Sequence, residues 1–141
     1  MDVSVMRQAP MTSLLRQAAL GVENLERAAS FYGSTLGLTE IARFDPPGLV
    51  FFDLGGVRLL LERAVDPAPG TSVLYLGVAD ICDRVAELSA RGVVFETEPT
   101  RIHLDSDGLF GEVGAEEWMA FFADPDGNQL ALVETRASSA V

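Results

Sequence analysis

One cysteine and one histidine among 141 residues leave little material for thiol or imidazole chemistry. Cys82, standing alone, excludes an intramolecular disulfide and a thiolate metal cluster, and fits a reducing, cytoplasmic setting. No apolar run approaches the roughly 20 residues of a membrane-spanning helix, so no membrane is expected as a partner. Residues 1–13 lack the apolar core of a secretion signal and read as an N-terminal tail. Positive charge is also scarce. Ten Lys and Arg against 21 Asp and Glu give a net charge of −11, which repels phosphate backbones and argues against nucleic acid. With 48% apolar residues, the chain has enough material for one ordinary domain with its own core.

What is present is a repeat. Leu20-Gly21-Val22-Glu23-Asn24-Leu25 returns as Leu76-Gly77-Val78-Ala79-Asp80-Ile81. Asn24 and Asp80 are N-cap residues, each placed between a strand-like run and an amphipathic segment. Leu25, Ala28, Ala29, Tyr32 and Leu36 fall at steps of three and four, as do Ile81, Val85 and Leu88, so each segment predicts a helix with one buried face. In the first half, strands are expected over residues 14–22, 38–44, 49–54 and 57–62, the last two joined by Gly55-Gly56. In the second half they are expected over 72–78, 93–96, 117–123 and 129–135, the last pair closing around Asp126-Gly127. Residues 99–114 read as an insertion that the first half lacks.

The order is βαβββ twice, an α+β fold of two tandem modules forming curled half-barrels around a cleft. Residues 14–135 form the single domain, with repeats at about 14–64 and 72–135 and a C-terminal tail at 136–141.

Two segments carry a family resemblance. One is Val22-Glu23-Asn24-Leu25-Glu26-Arg27-Ala28 leading to Phe31-Tyr32; the other runs from Trp118-Met119-Ala120-Phe121-Phe122 to Asp124-Pro125-Asp126-Gly127-Asn128. With the repeat, they make residues 14–135 resemble the glyoxalase/bleomycin-resistance/dioxygenase, or vicinal oxygen chelate, superfamily. In that family the catalytic members hold one divalent metal with His, Glu or Gln from four strands. The resemblance puts those four positions at Gln17, Leu60, Val73 and Ala131, with Glu62 replacing Leu60 if the alignment slips. Aliphatic side chains donate nothing to a metal, so the resemblance implies a degenerate site with Gln17 and Glu62 as the remaining metal candidates. No cofactor is expected.

Alternation from these positions sets Val73 with Tyr75, Met119 with Phe121, and Ala131 with Val133, each pair on one face. With Leu60 they predict an apolar, partly aromatic pocket anchored by Gln17, Glu62 and the Tyr75 hydroxyl. His103 lies in the insertion as a candidate ligand contact or general base. Asp105, Asp107, Glu112, Glu116 and Glu117 make an acidic rim that would favour a cationic ligand. Cys82 reads as a small buried apolar residue, and Trp118 as packing against the helix layer or a partner chain.

Three functions follow from this pattern. The first is binding or sequestration of a small organic molecule, cationic or aromatic, by a cytoplasmic homodimer paired through strand edges. The second is a glyoxalase-type lyase or isomerase, or a dioxygenase, with Gln17, Glu62 and His103 around Zn, Ni, Mn or Fe. The third is a regulatory or interaction module with a vestigial pocket.

Overall fold

Two short polar side chains set where each half of the chain turns from strand to helix. The Asn24 side chain accepts a hydrogen bond from the Arg27 amide at 3.0 Å, and Asp80 accepts from Asp83 at 3.1 Å. Each thereby satisfies an amide that a helix start leaves without a partner. The computed structural model describes residues 15–68, 70 and 72–138. The expected tail at 1–13, residue 14 of the first strand and residues 139–141 of the C-terminal tail lie outside them.

The first module comprises β1 (Gln17–Val22), α1 (Leu25–Ser30), β2 (Thr39–Phe44), β3 (Leu49–Leu54) and β4 (Val57–Arg63). The second comprises β5 (Val73–Gly77), α2 (Ile81–Ala90), β6 (Thr100–Asp105), β7 (Ala115–Ala123) and β8 (Gln129–Arg136). Their strands form two four-stranded sheets, ordered β1-β4-β3-β2 and β5-β8-β7-β6. In each sheet the first strand of the module runs parallel to the last, and the remaining pairs are antiparallel. Among the described residues no helix is long and apolar enough to cross a membrane.

One face of each sheet is covered by helix. Val50, Phe52, Leu59 and Leu61 are buried on the first, and Ala120, Phe122, Leu130 and Leu132 on the second. Full burial of a side chain such as Phe52 or Phe122 stabilises by about 1.5–3 kcal/mol, so these faces dominate the core. After Ser30 the first helix widens into a π-helical turn, Phe31–Thr35, closed by the Leu36 amide on the Phe31 carbonyl at 2.9 Å. Two adjacent rings then serve opposite sheets. Phe31 packs on Phe122 with ring centroids 6.5 Å apart, and Tyr32 packs on Phe52 at 6.2 Å.

The second half departs from expectation in one place. Residues 93–96 form no regular strand; Phe95 makes an isolated bridge to Phe122, and Val94 is 84% exposed. The third element of the module is β6, inside the segment read as an insertion, so only residues 106–114 form a loop. The reason is that β6 is an edge strand whose Ile102 and Leu104 stay about half exposed. Backbone pairing with β7 places it, and an apolar-periodicity reading favours the more hydrophobic residues 93–96 instead.

The Asp-Pro-Asp-Gly-Asn turn does more than close the last hairpin. Asp124 Oδ1 accepts from the amides of Asp126 and Asn128 at 2.9 and 2.8 Å. Its Oδ2 accepts from Asn128 Nδ2 at 2.8 Å and from the Tyr32 hydroxyl at 2.7 Å. Asp126 Oδ1 reaches the Glu23 amide at 2.9 Å and Arg27 at 3.2 Å, while Asn128 Nδ2 also reaches the Gly21 carbonyl at 3.4 Å. Gly127, at φ +86°, supplies the left-handed residue that the turn needs. One loop of the second module thus grips the first strand and helix of the first. Burial, reinforced by the neighbouring Asp124 carboxylate, holds the Tyr32 hydroxyl protonated well above its ordinary range.

Two variants separate the parts of this joint. Tyr32→Phe should cost about 2 kcal/mol in urea unfolding, the worth of one hydrogen bond to a charged acceptor. Asp124→Ala should cost at least about 3 kcal/mol, because it strands several buried donors at once. Equal and small losses in both would show that apolar packing alone holds the modules together.

Candidate functional site

Since Leu59, Leu61, Ala120, Phe122, Leu130 and Leu132 take the helix-covered faces, their neighbours along each strand take the open ones. On the second sheet Tyr75 lies opposite Ala131, which lies opposite Phe121, and Met119 lies opposite Val133. Val73, two residues before Tyr75, shares that face and is half-buried. Tyr75 and Phe121 stand on strands two apart, about 10 Å at ordinary strand spacing. Their ring centroids are nevertheless only 6.3 Å apart, edge to face, so both rings lean over the intervening Ala131. That alanine is wholly buried although it belongs to the open face, whereas Tyr75 remains 55% exposed.

On the first sheet Gln17 lies opposite Arg58, Leu60 lies between Ala19 and Phe51, and Glu62 lies between Gly21 and Leu49. Gln17 therefore sits four residues along β1 from the partner of Glu62, about 13 Å at roughly 3.3 Å per residue. Gln17 is half-buried and Glu62 exposed, and the two are not brought together. Leu60, Val73 and Ala131 carry no donor atoms. Among the described residues no three His, Cys, Asp or Glu side chains are grouped to hold an ion. The donor set on these strands does not fit the divalent metal that the resemblance implies for catalytic members.

A cleft of about 780 Å3 lies between the two modules, beside the free edge of β5. Of the residues expected to line a pocket, Val73 and Tyr75 do so. The rest of its surface comes largely from side chains alternating with those: Leu74 and Leu76 on β5, Ala18 on β1, Leu54 and Val57 at the β3–β4 turn, and Leu132 on β8. Helix α2 adds Leu88 and Arg84. The sequence carried a signal for this. Val73-Leu74-Tyr75-Leu76 is apolar without a break, the pattern of a strand that contacts something on both faces.

His103 stands on β6, not in a loop; it is exposed, faces Glu117 across the ladder, and meets the Phe110 ring edge to face at 5.6 Å. It does not line the cleft. Cys82 is exposed, contrary to the reading of it as buried. It follows Ile81, and one residue of helix rotates it away from the buried stripe that Ile81 and Leu88 define. Trp118 packs against the helix-layer core, with the Arg136 guanidinium 4.0 Å above its ring.

Much of the acidic rim is engaged structurally. Asp105, almost wholly buried, accepts from the Leu109 and Phe110 amides at 2.8 and 2.9 Å and so organises the 106–114 loop. Glu116 accepts from Trp118 Nε1 at 2.9 Å and Arg101 at 3.2 Å, and Glu117 accepts from Thr135 at 2.9 Å. The Phe110 amide, then the Leu109 amide, hold the Asp105 carboxyl below the ordinary carboxylate range. The Trp118 indole, then Arg101, do the same for Glu116.

Two outcomes follow from these geometries. A carboxyl depressed in the folded state stabilises above its unfolded value, about pH 4, and that contribution is lost as the pH falls through the folded value. Peptic cleavage at Leu109–Phe110 should therefore rise as the pH is lowered through this range in the wild type. In Asp105→Asn it should start high and vary less; the same pH response in both would remove Asp105 from the role. Separately, Ala131→Glu must part the Tyr75 and Phe121 rings, and should lower stability by about 1–3 kcal/mol in urea unfolding. A neutral result would show that the rings do not close over that position.

No curated protein matches the chain. Solved structures do. A glyoxalase/bleomycin resistance protein/dioxygenase superfamily member from Sphaerobacter thermophilus is 27% identical, with a TM-score of 0.68 over 89% of this chain and 99% of that one. TnmS3, an antibiotic binding protein from Streptomyces sp. CB03234, is 23% identical, with a TM-score of 0.71 over 89% and 98%. A lactoylglutathione lyase from Agrobacterium tumefaciens is 22% identical, with a TM-score of 0.67 over 87% and 94%. The last two share the fold. Residues 14–132 match the sequence profile of one family over most of the chain's length, and the chain belongs to the Glyoxalase/Bleomycin resistance protein/Dioxygenase superfamily.

Proposed function

We propose that this protein binds and sequesters a small organic molecule in its inter-module cleft without the help of a metal. The observation that carries the reading is the cleft itself. At about 780 Å3 it is of the size that takes a drug-sized ligand, and most of its lining residues are aliphatic. The chemistry of the strands supports it, since Leu60, Val73 and Ala131 stand where the resemblance places donors. TnmS3, which shares the fold, is an antibiotic binding protein, so binding as a role in its own right suits this architecture.

We extend the proposal to a homodimer. Strands β2 and β6 are sheet edges that leave Ile41, Phe44, Ile102 and Leu104 about half exposed, apolar surface that a second copy would cover.

Native mass spectrometry of protein purified without chelators tests these points together. The expected result is a dimer mass free of stoichiometric metal, with adducts of apolar small molecules lost when Val57→Trp narrows the cleft. Near-stoichiometric Zn, Ni, Mn or Fe would overturn the reading in favour of a metal-dependent lyase, isomerase or dioxygenase. Adducts unaffected by Val57→Trp would move the binding site elsewhere.

A further inference from the structure

Charge is distributed around the cleft in a way that the rest of the molecule does not suggest. The chain carries 21 Asp and Glu against ten Lys and Arg, yet none of the 17 described residues lining the cleft is acidic. One is charged, Arg84, and the one other polar side chain is Tyr75.

Arg84 also has charge to spare. Its contact with Glu87 is 3.9 Å from Nε, at the limit of an ion pair, and no hydrogen bond of its guanidinium is formed among the described residues. Glu87 is engaged more closely by Arg91, at 2.7 Å. Helix α2 therefore brings Arg84, 44% exposed in its side chain, to the border of an apolar cavity. A planar guanidinium with open donors pairs best with a carboxylate, which it meets through two parallel hydrogen bonds.

From this we infer that the cleft takes an amphipathic anion, a hydrocarbon body ending in a single carboxylate, with the carboxylate held by Arg84. The inference rests on the binding role proposed above and narrows its ligand class. It runs against a cationic ligand. Such a ligand would bring its charge toward Arg84 with no acidic side chain in the lining to offset it, a like-charge approach that disfavours binding. The acidic residues that would favour a cation belong to β6, β7 and the 106–114 loop, and none of them lines the cleft.

Three probes with the same ten-carbon tail separate the head-group question from the binding question: decanoate, decanol and decyltrimethylammonium, titrated by calorimetry into the full chain. Decanoate should bind most tightly, decanol roughly five- to tenfold more weakly, the size of a partly exposed charge contact, and the cation most weakly of all. Arg84→Gln, an exposed position whose change spares the core, should weaken decanoate by the same factor and leave decanol unchanged. Added salt should weaken decanoate alone.

Equal affinities for decanoate and decanol, with Arg84→Gln silent, would overturn the anion inference and leave the cleft as a binding site. Preference for the cation would overturn it in the opposite sense. If no probe binds while the native mass spectra still show cleft-dependent adducts, the amphipathic-anion class is wrong and the binding role stands. A dimer that takes up no probe and shows no such adducts would mean that a second copy of the chain fills the cleft, and both proposals would fall.

Discussion

The carboxylate of Asp124 is the hub of the turn that ties together the two halves of this molecule. It collects two amides and an asparagine side chain from its own turn and a buried tyrosine hydroxyl from the other module. Each donor alone is worth little net, because each would otherwise bond to water. Together, inside a low-dielectric joint flanked by Phe31, Phe52 and Phe122, they fix a geometry that apolar contact alone leaves free to slide. The relative position of the two sheets follows from that, and so do the width and shape of the space between the modules.

Function then depends on which side chains the register turns toward that space. Strand β5 is decisive because it is the edge strand of its sheet and is apolar on both faces. Val73 and Tyr75 project one way, Leu74 and Leu76 the other, and all four reach the cleft. A cavity built in this manner has few polar anchors. In the binding role proposed above, selectivity would reside in shape and in the one guanidinium that α2 contributes.

Most of the architecture was legible from the sequence for a physical reason: both helix starts are marked by capping side chains, and the buried face of each helix by apolar residues at steps of three and four. Asn24, Asp80, Leu25, Tyr32, Ile81 and Leu88 take the places that those rules assign. The failures were equally physical. Strand β6 is held by backbone pairing and carries only two apolar residues, Ile102 and Leu104, so the unbroken apolar run at 93–95 outweighs it and leaves His103 in the insertion. Cys82 was read from its residue type, and a one-residue helical step reversed its exposure. The site was the least legible part. Gln17 and Glu62 share a sheet face, but the parallel register that separates them along β1 and β4 emerges only when the strands are paired. The role of Arg84 needed the cleft itself, because in the sequence it is one basic residue in an ordinary amphipathic helix.

The aromatic pair above Ala131 has a bearing on how chemistry can change in such a scaffold. With alanine beneath them, Tyr75 and Phe121 have closed into contact, and the space that a longer side chain needs is already occupied. Any mutational path toward coordination at this point must thin the rings before it can introduce a ligand atom, and the intermediate would have lost its packing without yet gaining anything in exchange. Neighbouring side chains, more than the backbone, thus decide whether a ligand atom fits at this point.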